Sequence, residues 1–207
     1  FSRFCGNTCI CDGSAGGVVA LRGAAKGSRV EHCVFAGNLD MNNGSNGPGG
    51  DSVTGGIAIS LEDAAGTVDV VNNTFAYNVS AGKTAAAGLT VKKGVANVRN
   101  CVFWGNRGIA GEGSANAEIS SVNTTVKNCC WPEAAREDGN TPDDPKFRTV
   151  KRYRHYPSPT GSCYETGDAT GWTDADVDLA GNPRLRGEKV DIGCYQSPNG
   201  GLAIILW

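Results

Sequence analysis

The 207-residue chain has one methionine, two histidines and few aromatic residues, 7% of the total. So few rings exclude a bulky aromatic core, leaving a thin one built of Val, Ile, Leu and Phe layers. With only His32 and His155 present, no Ser-His-Asp set has support in the sequence. The formal charge of −2 lacks the positive excess that nucleic acid demands, so nucleic acid is not an expected partner. No apolar run is long enough to span a bilayer, and the terminal run at 202–207 is far too short. Nor does the first half hold any sustained helical period, which argues against a helical repeat.

What the chain does have is glycine, cysteine and a repeat. Phe4-Cys5-Gly6-Asn7, Phe35-Ala36-Gly37-Asn38, Phe75-Ala76-Tyr77-Asn78 and Phe103-Trp104-Gly105-Asn106 are variants of one pattern. The last three follow a polar pair: His32-Cys33, Asn72-Asn73 and Asn100-Cys101. Asn128-Cys129 starts a fifth unit that ends in Trp131. Two residues before each pair stands a valine: Val30, Val70, Val98 or Val126. Upstream in each unit lies a second short alternating segment, such as Gly56-Ile57-Ala58-Ile59-Ser60-Leu61 or Gly88-Leu89-Thr90-Val91. Runs this short, repeated at this scale, predict an all-β solenoid: a parallel β-coil over residues 1–131 with the phenylalanines and valines as its repeated core.

From Cys33 to Asn73 is 40 positions, whereas Asn73 to Cys101 and Cys101 to Cys129 are 28 each. The extra residues must leave the coil as a loop, and the turn-rich stretch 38–55 is the candidate. Because Phe1 begins partway through a unit, the first coil is expected to be incomplete, as in a fragment or processed product. After Trp131 the chain turns polar and turn-rich, which places a boundary there and assigns 132–207 to a C-terminal cap. The tail 202–207, after the Pro198-Asn199-Gly200-Gly201 turn, should fold back as a strand or cover the end of the core. Pairing of that tail with the open first coil of another copy would give a head-to-tail filament.

Nine cysteines are many for this length. Cys5, Cys9 and Cys11 have a metal-like spacing without a companion pair at zinc-site distance; a local disulfide or simple burial is the alternative. Cys33, Cys101 and Cys129 share one repeat position. They stack as small apolar residues, or Cys101 and Cys129 join as a disulfide between neighbouring coils. His32 stands at the Asn position of the repeat and is expected to stack there. The basic-aromatic stretch 146–156 reads as a strand with one wet face; binding of nucleic acid or an anionic glycan is the alternative, and His155 is a structural residue or a ligand. Asp174, Asp176 and Asp178, followed by Gly181-Asn182, resemble the opening of a calcium loop, but the glycine is misplaced and no closing glutamate follows.

The units at 30–38 and 98–106 resemble the repeats of right-handed parallel β-helix proteins of the pectin-lyase-like superfamily, particularly those of chlamydial polymorphic membrane proteins. The C-terminal part is similar to the choice-of-anchor Q segment that closes such helices. Asp144-Pro145-Lys146-Phe147, Ser162-Cys163-Tyr164-Glu165-Thr166-Gly167-Asp168, Asp178-Leu179-Ala180-Gly181-Asn182-Pro183-Arg184 and Val190-Asp191-Ile192-Gly193-Cys194-Tyr195 carry that similarity. It implies a right-handed parallel β-helix in a bacterial cell-surface or secreted setting. Cys194, where alanine is usual, together with Cys163, gives 163–194 as the first disulfide pairing.

That superfamily includes polysaccharide lyases and glycoside hydrolases, which need carboxylates in pairs or beside a basic residue. In the repeats the carboxylates are sparse, and the adjacent pair Glu62-Asp63 follows Leu61 at a turn. The expectation is therefore a non-catalytic extracellular or cell-surface module, adhesive or structural, that meets a glycan or a host or neighbouring cell and self-associates. It has no cofactor except calcium at the three aspartates. A polysaccharide lyase or glycoside hydrolase, or the C-terminal part of one, is the alternative.

Overall fold

The computed structural model describes residues 1–11, 16–23, 27–42, 53–61, 64–80, 86–108, 118–119, 123–149 and 155–198. The core of the 38–55 stretch, Glu62, Asp63, the centre of the basic stretch at 150–154 and the tail 202–207 lie outside the described residues.

The strands follow in order. They are β1 (Ser2–Cys5), β2 (Thr8–Cys11), β3 (Gly16–Arg22), β4 (Ser28–Glu31), β5 (Cys33–Ala36), β6 (Leu39–Asn42), β7 (Val53–Ser60), β8 (Thr67–Val71) and β9 (Thr74–Ala76). Then come β10 (Val79–Ser80), β11 (Leu89–Lys93), β12 (Val95–Arg99), β13 (Val102–Trp104), β14 (Arg107–Gly108), β15 (Thr124–Lys127), β16 (Arg148–Thr149) and β17 (His155–Tyr156). The described residues are all-β. They form four parallel sheets, β1-β5-β9-β13, β14-β10-β6-β2, β11-β7-β3 and β15-β12-β8-β4, plus an antiparallel β16-β17 pair.

Each pass of the chain visits the four sheets in the same order, so equivalent positions of successive units become strand neighbours. Phe4, Phe35, Phe75 and Phe103 are register partners, with rings stacked at 4.9, 4.9 and 4.7 Å. Val30, Val70, Val98 and Val126 align likewise, and Val70 and Val98 are buried. Ile57, Ile59, Leu89 and Val91 on the third sheet complete this interior. Burying one Phe stabilises by roughly 1.5–3 kcal/mol, so a stack of them contributes substantially.

The corners repeat as strictly as the strands. His32, Asn72, Asn100 and Asn128 all take left-handed backbone angles, with φ of 50, 51, 51 and 51°. Asn tolerates that region because its short amide bonds locally, which accounts for its recurrence there. At the next corner Gly6, Gly37 and Gly105 have φ of 66, 62 and 69°, while Tyr77 holds the same conformation at 56°.

Cys33, Val34, Phe35 and Ala36 of β5 are all buried, without the alternation of a half-exposed strand. The reason is that the chain after residue 131 covers the outer face of this sheet. Tyr156, Cys194 and Tyr195 pack on Val34, Ala36 and Ala76, while Cys163 and Ile192 pack on Val102 and Cys130. The same C-terminal segment closes the last turn: Trp131 N donates to Thr141 O at 3.2 Å, and Thr141 bridges Cys130.

Candidate functional site: the outer face of the β4-β8-β12-β15 sheet

Two columns of polar side chains run through the interior and are structural. In the first, the backbone N and Nδ2 of Asn7, Asn38 and Asn78 each donate to the carboxamide oxygen of the next Asn, at 2.7–3.1 Å. Asn106 donates in the same way to the Glu118 carboxylate. Cys33, Asn73, Cys101, Cys129 and Asn140 form the second. Cys33 N donates to Asn73 Oδ1 at 2.8 Å, Asn73 N to Cys101 Sγ at 3.4 Å, Cys101 N to Cys129 Sγ at 3.3 Å and Cys129 N to Asn140 Oδ1 at 2.9 Å. Buried polar groups of this kind satisfy backbone donors at the corners.

The third repeated surface faces outward. On β4, β8, β12 and β15 the valines point inward, so the residues on either side of them point out. Arg29, Asp69, Asn97 and Thr125 form one outward row; Glu31, Val71, Arg99 and Lys127 form the other. Between them lies a groove of about 340 Å³, lined by all of these except Glu31, with Val98 at its floor. Arg29 is clamped on Glu31 at 2.8 and 3.0 Å, and Asn97 Nδ2 donates to Asp69 Oδ1 at 3.1 Å. Lys127 has no carboxylate within ion-pair distance among the described residues.

Arg99 and the corner residue Asn100 also hold a stretch of the C-terminal segment. Asp168 N donates to Asn100 Oδ1 and Asn100 Nδ2 donates to Asp168 O, both at 2.8 Å. Arg99 Nη1 then reaches Asp168 Oδ2 at 3.1 Å and Thr170 O at 3.0 Å. Burial works against ionising Asp168, but hydrogen bonds from Thr170 and Arg99 outweigh it and hold its pKa below the ordinary value. Farther along that segment Trp172 meets the first of these strands, with the Arg29 guanidinium 5.9 Å from its ring and the His32 ring 5.0 Å away. The result is a polar strip with fixed cations, amides and one aromatic edge, suited to hydrogen bonding an extended hydroxylated chain.

The two carboxyls that burial pushes up to about 7, Asp40 and Glu118, are both interior and do not line the groove. His32 and His155 are buried and pushed down to about 3 and about 4, again by burial, so both are neutral near pH 7.

Several sequence-predicted residues sit elsewhere. Cys5, Cys101, Cys129, Cys163 and Cys194 stand as free thiols in this structure, and the side chain of Cys9 lies outside the described residues. Cys194 belongs to the cluster around Tyr195, whereas Cys163 faces Cys130 across a different cluster, so 163 and 194 are not brought together. Cys101 and Cys129 act as hydrogen-bonding members of the second column. The three aspartates do not converge either. Asp178 accepts from Ala180 N and Asn182 N, both at 2.8 Å, and from Gln196 N at 2.7 Å; Asp176 accepts from Thr173 N at 2.7 Å; Asp174 is exposed. No group of three His, Cys, Asp or Glu residues gathers among the described residues.

Sequence reasoning passed over the groove residues. The signal was available: they are the positions immediately before and after each repeat valine. It also missed Arg184, fully buried, whose Nη2 donates to the carbonyls of Asp191 and Gly193 at 2.6 and 2.8 Å and ties the C-terminal segment together. No helix among the described residues is long and apolar enough to cross a membrane. Compared with known proteins, the chain matches no family model, no curated protein and no solved structure.

Proposed function

We propose that the chain is a right-handed parallel β-helix solenoid that serves as a non-catalytic adhesive module at a cell surface or in the extracellular medium, with the outer strip of β4, β8, β12 and β15 as its glycan-contacting face. The observation that carries this reading is the strip itself: successive units place Arg29, Asp69, Asn97 and Thr125 side by side on a rigid sheet. The parallel registers and the resemblance of the repeats to β-helix proteins support the architecture. Ligands that meet such a face bind by many weak polar contacts and stacking, not by one deep pocket.

Binding of the full chain to an immobilised panel of neutral and acidic polysaccharides tests this. Asn97→Ala combined with Lys127→Glu is expected to weaken binding by about tenfold or more, the equivalent of 1.4 kcal/mol. Retained binding by the double variant would remove the groove from the proposal. Release of unsaturated or reducing sugar ends would favour the lyase or hydrolase alternative.

A further inference from the structure

Six thiols are buried: Cys33, Cys101, Cys129, Cys130, Cys163 and Cys194. The first three belong to the second polar column, and outside it Cys130 Sγ donates to Asp143 O at 3.3 Å. Cys101 Sγ donates to Val70 O at 3.3 Å and accepts from Asn73 N, and Cys129 Sγ donates to Lys127 O at 3.1 Å and accepts from Cys101 N. Those sulfurs stand in for the Asn amides of the column, and oxidising them would remove their donors from buried carbonyls.

Cys130 and Cys163 have no such duty in the column. Both are fully buried, and they come from different parts of the chain: Cys130 ends the last coil and Cys163 lies in the covering segment. Both belong to one small buried cluster with Val102 and Ile192. The Ser162 hydroxyl sits 3.6 Å from Cys130 Sγ and 3.8 Å from Cys163 Sγ, and itself donates to Asp143 O at 2.6 Å. The backbone on each side is pinned. Cys130 N donates to Cys101 O at 3.0 Å, and Ile192 N donates to Cys163 O at 2.9 Å. Two thiols gathered in one cluster around one hydroxyl, each on an anchored backbone, are placed to be joined as a disulfide.

We propose that Cys130 and Cys163 form a disulfide that fastens the covering segment to the last coil when the chain folds in the presence of a small-molecule disulfide oxidant. One thiolate attacks a sulfur of oxidised glutathione and releases a glutathione thiolate; the second thiolate then displaces the remaining glutathione. One S–S bond forms and one breaks, and the two electrons and two protons leave as two reduced glutathione molecules. Burial raises the Cys163 thiol well above its ordinary pKa, so the exchange runs before the segment docks, when both thiols are accessible. This proposal is independent of the glycan-binding strip, since it needs only the oxidant.

The test refolds the reduced full-length chain in a buffer of reduced and oxidised glutathione, blocks remaining thiols with an alkylating agent, and maps the peptides by mass spectrometry. A peptide linking Cys130 to Cys163, with Cys101 and Cys129 alkylated, is the expected result. Alkylation of both Cys130 and Cys163, or a link from either to another cysteine, overturns it. Thermal melting gives a second readout: the oxidised chain should melt roughly 5–10 °C above the reduced one. In Cys163→Ser that difference should vanish, and a difference of the same size in the variant would equally overturn the proposal.

Discussion

Replacing Asn78 with alanine is expected to destabilise the chain by about 2–5 kcal/mol, against a total of roughly 5–15 kcal/mol for a folded domain. Asn78 is fully buried at the centre of the amide column. Its oxygen accepts from Asn38 N at 3.1 Å and from Asn38 Nδ2 at 2.9 Å, and its Nδ2 donates to Asn106 Oδ1 at 2.7 Å and to Phe35 O at 2.9 Å. Alanine would strand the buried Asn38 backbone N–H and remove a donor from Phe35 O. Among the described residues the side chain of Asn7, which is exposed, donates to Asn38 alone, so Asn7→Ala should cost under about 1 kcal/mol. Urea denaturation of the two variants checks the contrast; equal costs would mean that the column is not a stabilising unit.

Glu118→Gln is expected to do the opposite and stabilise the chain above neutral pH. Glu118 receives the last donors of the column, yet burial desolvates its carboxylate and pushes its pKa up to about 7, with hydrogen bonds from Asn106 opposing. A raised folded-state pKa means that the folded chain holds this proton more tightly than the unfolded one. Its contribution to stability is therefore full below the unfolded value of 4.5 and is lost as pH rises to about 7. A difference of that size corresponds to a loss on the order of 3 kcal/mol by pH 8. Glutamine keeps an acceptor for Asn106 and has no charge to desolvate, so the variant's advantage should be absent near pH 4, grow between 4.5 and 7, and then level off. Urea midpoints measured from pH 4 to 8 read this directly; a difference that does not vary with pH would refute it.

Other groups shape the wild-type curve without entering that difference. Asp40, buried without a hydrogen-bond partner and pushed up to about 7, weakens the fold over the same window as Glu118. His32 and His155, whose pKa values burial lowers, act in the other direction: stability present above 6.5 is lost as pH falls below it. Mildly acidic solution, between these two limbs, is where the native chain should be firmest.

The equivalence of positions was open to view in the sequence because it depends on identity at fixed spacing. Phe35, Phe75 and Phe103 announce a common environment even before any strand is assigned. What lay hidden depends on which distant segments meet. Nothing about Cys163 marks Cys130 as its neighbour, because the chain from 155 to 198 is nearly all turns and bends with no period to follow. Asp178 looks like a metal ligand in the sequence because a tight turn rich in carboxylates suits a cation; the same turn also offers backbone N–H groups, and those take up its oxygens. The end of the amide column at Glu118 was equally hidden, since a glutamate outside the repeat motif carries no Asn signature.

Between Asn42 and Val53 the second full pass of the chain carries more residues than the third does between Ser80 and Leu89, yet Val70 and Val98, Phe75 and Phe103 stay in perfect step. Alignment is thus enforced at the corners by amides and thiols, and the contour length spanning that flank is a free variable. A foreign peptide spliced between Asn42 and Val53 should therefore leave the registers of the described strands unchanged.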